Sequence, residues 1–121
     1  MSRIGSKNTQ IELRVFSHLR RIGIHFQRHY RRAPGSPDIA QPRRKRAVFI
    51  DGDFWHGWRF AGWSAKLTPY WCEKIGRNIR RDRRNRTALR RAGWSVLRVW
   101  EHELEPTEPG LARIREFLAA D

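Results

Sequence analysis

The feature that most constrains the fold is the run Ala47-Val48-Phe49-Ile50, four apolar residues in succession closed by Asp51-Gly52-Asp53. A strand with one wet face alternates polar and apolar residues, so an unbroken apolar run marks a central strand covered on both faces. The rest of the chain must therefore place elements on both sides of a sheet.

Those elements can be read off on either side of the run. Thr9-Gln10-Ile11-Glu12 has the capping-box pattern, and Ile11, Val15, Phe16, Leu19 and Ile22 recur at helical spacing up to Gly23, which predicts a first amphipathic helix. Residues 24 to 30 alternate with period two, predicting a half-buried strand, and Pro34-Gly35-Ser36-Pro37 forces a turn before a second strand that begins at Asp38. Residues 54 to 70 show no clean period and carry Gly57, Gly62 and Pro69, which predicts a long aromatic loop. From Trp71 to Ala92, positions 71, 75, 79, 82, 86 and 89 share one helical face, Gly93 ends the element, and residues 94 to 100 read as a strand. A last helix spans Leu111 to Ala120. With no repeat or Gly/Ser linker among 121 residues, the expectation is one α/β domain over 1–121, a mixed central sheet flanked by helices.

Charge narrows the function. Twenty-six Lys and Arg against twelve Asp and Glu leave a net charge of +14, an excess that self-repels unless a polyanion balances it, and nucleic acid is the first candidate. No stretch approaches the roughly 20 apolar residues of a membrane span, and no apolar signal core follows the first residues, so a cytosolic protein with no membrane partner is expected. The single cysteine, Cys72, excludes an intramolecular disulfide and any multi-cysteine zinc site.

Several residues carry possible chemistry, each with a structural alternative. Asp38 follows a Pro-rich turn at the start of a strand, where a rigid carboxylate suits a magnesium ion and where Asp also simply closes turns. Asp51 ends the central strand in a similar setting, and two adjacent strands ending in carboxylates can present the oxygen-only donor set of a hard divalent ion. Glu12 is either a catalytic acid or the partner of Thr9 in a capping box. His56, in Asp53-Phe54-Trp55-His56-Gly57, is a general-base candidate or a surface or packing histidine. Asp82 interrupts a basic run on the core-facing side of its helix, with an ion pair to Arg86 as the alternative. Lys74, Arg77, Arg80, Arg81, Arg83, Arg84, Arg86, Arg90 and Arg91 on the long helix suit DNA phosphates, and Phe54, Trp55, Trp58, Trp63 and Trp71 suit either a core or stacking on bases.

Four ordered blocks then carry a resemblance. They are Ser2 to Thr9 with Glu12; Pro34-Gly35-Ser36-Pro37-Asp38-Ile39; Val48 to Gly57; and Trp71-Cys72-Glu73-Lys74-Ile75 with Asn78 and Arg81 to Arg84, continuing into Ala92 to Glu101. Over nearly all of residues 1–104 the chain resembles the very-short-patch-repair endonucleases, a branch of the PD-(D/E)xK nuclease superfamily. The resemblance implies a restriction-endonuclease-like α/β core and magnesium-dependent hydrolysis of one strand of double-stranded DNA, 5′ to the thymine of a T:G mismatch, by a monomer. It matches Asp38 to the metal-binding aspartate, the Ile50 carbonyl to a second ligand, His56 to the catalytic histidine, Glu12 to an acid near the metal, and Asp82 to a supporting acid. Phe54, Trp55 and Trp71 match aromatics that wedge beside the mismatch; independently of the resemblance, the charge of Lys74, Arg77, Arg81 and Arg84 places them on the DNA phosphates.

Two departures stand out. The zinc ligands common in the family are replaced by Asp53, Trp58, Phe60 and His102, so no zinc is expected, with aromatic packing or an Asp53–His102 contact holding the loop. Asp51 stands where the best-known members have a histidine, giving a second acid that could hold metal or alter proton transfer. Alternatives to mismatch repair are a nuclease of a restriction or homing-type system and a non-catalytic basic DNA-binding protein. Repair or restriction partner proteins are not specified by the sequence.

Overall fold

A computed structural model describes residues 6–52, 57, 60–104 and 109–120; the side chains of 6–9, 60, 61 and 65 are outside this description. The elements are α1 (Ser6–Arg21), β1 (Gln27–Arg28), β2 (Ile39–Gln41), β3 (Arg46–Asp51), α2 (Phe60–Trp63), α3 (Pro69–Arg91), β4 (Ser95–Trp100) and α4 (Pro109–Ala119). The strands form one mixed sheet in the order β1-β2-β3-β4, antiparallel up to β3 and parallel between β3 and β4.

The apolar run is the reason for the layering. Val48 and Ile50 pack with Ile11, Val15, Phe16 and Leu19 of α1 and with Ile114 and Leu118 of α4. Ala47 packs on Leu89 of α3, with Phe49, Trp94 and Val96 around them, on the other face. Successive side chains of β3 thus serve two cores, and each large buried apolar side chain contributes about 1.5–3 kcal/mol. Among the described residues no helix is long and apolar enough to cross a membrane.

The boundaries depart from the sequence reading at identifiable points. Helix α1 begins at Ser6, so Thr9 lies inside it rather than capping it; no Pro or Gly between Ser6 and Thr9 stops the helix. Its other end is as expected, with Gly23 at φ +86° and the Ile24 N–H donating to the Leu19 carbonyl. The first strand shrinks from 24–30 to two residues. Among the described residues its one neighbour, β2, is confined between Pro37 and Pro42, and His29 takes a left-handed φ of +48°. Strand β2 starts at Ile39, one residue after Asp38. The described part of 54–70 is not simply a loop: it holds α2 and a 3-10 turn over Ser64–Lys66, whose Ser64 carbonyl accepts from the Cys72 thiol at 3.0 Å. Helix α3 starts earlier than Trp71 because Thr68 caps it, accepting from the Trp71 N–H, and Pro69 suits the first turn.

Candidate active site

The turn before Asp38 is held tightly. Gly35, at φ +80°, lies so close to α3 that a Cβ there would sit 3.0 Å from Asn85 Cβ and 3.1 Å from Phe49 Cε1. Two further hydrogen bonds, from His29 N–H to the Asp38 carbonyl and from Tyr30 N–H to the Pro37 carbonyl, both 2.9 Å, extend the β1–β2 pairing past the ladder. They set His29 beside Asp38.

Asp38 Oδ2 accepts the Ile50 N–H at 2.6 Å. An extended residue turns its N–H and C=O to the same side of the strand, so the Ile50 carbonyl leaves β3 on the side that faces β2. The other carboxylate oxygen, Oδ1, lies 3.7 Å from His29 Nδ1, while His29 Nε2 lies 3.4 Å from Glu12 Oε1. Glu12 projects from α1, and the imidazole rests edge-on against Phe16 of the same helix, ring centroids 5.9 Å apart. Burial, the charge of Glu12 and a hydrogen bond to it raise the Asp38 carboxyl well above the ordinary carboxylate range, against the opposing pull of the Ile50 N–H; Asp51 adds a smaller upward push.

The residues fit a divalent cation. Donor atoms of Glu12, His29 and Asp38 all lie within 4.8 Å of one another, and two carboxylates forced together are relieved by positive charge between them. Two carboxylates and a backbone carbonyl suit a hard ion, and the imidazole adds a nitrogen donor.

Asp51 belongs to a second network. Its Oδ2 accepts from Arg98 Nε at 2.6 Å, and the Arg98 guanidinium lies 4.1 Å from the centre of the Trp100 ring. Arg86 of α3 sits nearby: burial and the Arg98 charge lower its pKa, Asp51 and Asp82 raise it, and it remains a cation. Asp82 is 14% exposed and lies 3.5 Å from Arg81 Nη2, and Arg86 also feels its charge. The structure thus brings Glu12 and Asp38 together with the Ile50 backbone, and sets Asp51 and Asp82 in an adjoining set of alternating charges.

Other predicted residues are distributed as follows. Asp53, Phe54, Trp55, His56 and Trp58 lie outside the described residues. Trp71 is half-buried in the first turn of α3, edge-on to Tyr70 at 5.1 Å. On the same helix Lys74 is half-buried, Arg77 pairs with Glu73 at 3.6 Å, and Arg81 and Arg84 are exposed.

Sequence reasoning missed His29 and Arg98 as members of these networks, whereas Arg86 was expected beside Asp82, whose charge it feels. Period-two alternation cast His29 as an ordinary strand residue, and nothing local indicates that its ring reaches a helix seventeen residues earlier.

The family model described as DNA mismatch endonuclease Vsr matches residues 1–61. The type II nicking enzyme V.XorIIP of Xanthomonas oryzae pv. oryzae is 40% identical over 120 residues, covering 98% of this chain and 88% of that protein. The DNA mismatch endonuclease Vsr of Escherichia coli is 37% identical over 110 residues, 89% of this chain and 70% of that one. The type II nicking enzyme V.NmeDIP of Neisseria meningitidis serogroup C is 35% identical over 102 residues, 82% and 69%.

Proposed function

Since the chain belongs to the Vsr DNA mismatch endonuclease family and is a DNA-nicking endonuclease, we propose that it cuts the thymine strand of duplex DNA at a T:G mismatch, with magnesium held at Asp38. The observation that carries this reading is the Asp38 carboxylate, pinned to β3 through the Ile50 N–H and turned towards Glu12 and His29. The non-catalytic alternative is set aside, because relatives spanning most of this chain bear enzyme names.

Asp38 and the Ile50 carbonyl are the proposed ligands, with Glu12 beside them. When bound, the ion supplies charge neutralisation at the pentacovalent phosphate and acidifies a water. The chain does the rest. The Ile50 N–H fixes the orientation of Asp38, so the donor set is formed before substrate arrives. Glu12 and His29 flank its second oxygen and fill the side facing α1. His56 is proposed as the general base at the attacking water. Asp51 keeps Arg98 and Arg86 in place and, with Asp82, balances their charge behind the carboxylate cluster. Lys74, Arg77, Arg81 and Arg84 on α3 are the proposed phosphate contacts, and Phe54, Trp55 and Trp71 the proposed wedge. One domain over 1–121 acting as a monomer completes the reading, with no zinc.

The names of V.XorIIP and V.NmeDIP as type II nicking enzymes favour a second reading, a nickase without a mismatch requirement. Single-turnover nicking of strand-labelled duplexes, identical except for T:G or T:A at one position, separates the two. A nick confined to the thymine strand of the T:G duplex supports mismatch repair; equal nicking of both duplexes overturns it in favour of the second reading.

A further inference from the structure

Beside the carboxylate cluster, residues 27–32 and the connection between β2 and β3 bound an open concavity of about 590 Å³. Its walls carry Arg28, Arg31, Arg32 and Arg43, with His29 on the same wall. None of these four arginines is ion-paired among the described residues. By contrast Arg77, Arg81 and Arg98 each have a carboxylate. Four cations on the walls of one hollow that carry no carboxylate repel one another, and an external polyanion relieves that repulsion.

We propose that this hollow is a second seat for the DNA backbone, taking successive phosphates of one strand as it leaves the carboxylate cluster. The inference rests on the DNA-nicking reading and adds a contact surface separate from α3.

Three features support it. The hollow is contiguous with the cluster, since His29 both lines it and faces Glu12 and Asp38. Its arginines stand on a braced segment: Tyr30 is hydrogen-bonded to Pro37 and lies against Trp94, Ala33 is buried, and the Ser36 N–H donates to the Ala33 carbonyl. Arg28 is held over the Phe16 ring at 5.2 Å, and Arg43 belongs to the 3-10 turn Pro42–Arg44, whose Arg44 is tied to the Leu118 carbonyl at 2.8 Å. The braced backbone places all four arginines on the walls of one hollow, the Arg28 guanidinium is further held over Phe16, and the fork geometry of the guanidinium group suits phosphate oxygens.

The test is the salt dependence of binding to duplex DNA by the full chain. Each lost phosphate contact lowers the slope of log K against log[salt] by about 0.9. Arg31→Ala/Arg32→Ala should flatten the slope by about 1.8, and Arg43→Glu, on a different element, should flatten it too. Arg20→Ala/Arg21→Ala removes the same net charge from the end of α1 and should leave the slope at the wild-type value. Slopes unchanged in both the Arg31/Arg32 and Arg43 variants, or equal to the Arg20/Arg21 control, overturn the seat even if the wild type nicks normally. A flattened slope in an enzyme that makes no mismatch-directed nick keeps the seat and overturns the mismatch reading instead.

Discussion

Asp38 Oδ2 and the Ile50 N–H are 2.6 Å apart, and this hydrogen bond joins the turn before β2 to the end of β3. It fixes one carboxylate oxygen and leaves the other directed at His29 and, beyond it, Glu12. Everything proposed about catalysis depends on that orientation.

The raised pKa of Asp38 has a consequence for stability. A carboxyl whose folded pKa lies above its unfolded value of about 3.9 gives stability that is fully present below that value and is lost as pH rises through the folded one. Asp38→Asn keeps an acceptor for the Ile50 N–H and removes the charge. Thermal melts in EDTA should show the variant more stable than wild type at pH 7–8, the gap closing towards pH 3. Its nicking rate should fall about a thousandfold or more, since metal charge stabilisation is worth several kcal/mol. A variant less stable than wild type at neutral pH contradicts the assigned desolvation.

His29 places one ring nitrogen towards each carboxylate. His29→Ala should lower the nicking rate about 10- to 100-fold, the range of groups that support a metal site, and should raise the magnesium concentration needed for half-maximal rate. Retained magnesium dependence at full rate counts against a role for the ring.

Breaking the Asp51–Arg98 pair leaves a buried charge. Arg98→Met should destabilise the fold by about 3–5 kcal/mol, measured by urea unfolding. Asp51→Asn added to it should recover part of the loss, because the stranded carboxylate is then gone. No recovery in the double variant would mean that packing against Trp100, rather than charge, sets the cost.

Gly35 has both a left-handed φ and no room for a methyl group. Gly35→Ala should cost about 1–3 kcal/mol and lower nicking further than the stability loss explains, because the turn it moves carries Asp38. Comparing activity at a temperature where the variant is fully folded isolates the second effect.

The two-sided cover of β3 was legible because an unbroken apolar run leaves no polar face for solvent, and the 71-75-79-82-86-89 face marked α3. Asp38 and Glu12 were visible as acids in conspicuous places. Their meeting was not visible, since twenty-six residues separate them and the link is His29, whose ring is aimed by an unusual backbone angle. Arg98 was hidden for a related reason: inside a strand it reads as one polar step of an alternating pattern, and its partner is a register neighbourhood away on β3. β1 is shorter than its alternation predicts because alternation says nothing about how long a neighbouring strand is.

The most direct test of the proposed metal centre is a titration of the DNA-free protein with manganese, a reporter for magnesium, followed by electron paramagnetic resonance. The wild type should take up the ion at a site that Asp38→Ala abolishes and His29→Ala weakens, in step with their loss of nicking. Undiminished manganese binding and nicking in a folded Asp38→Ala protein would contradict the assignment of the centre to Asp38.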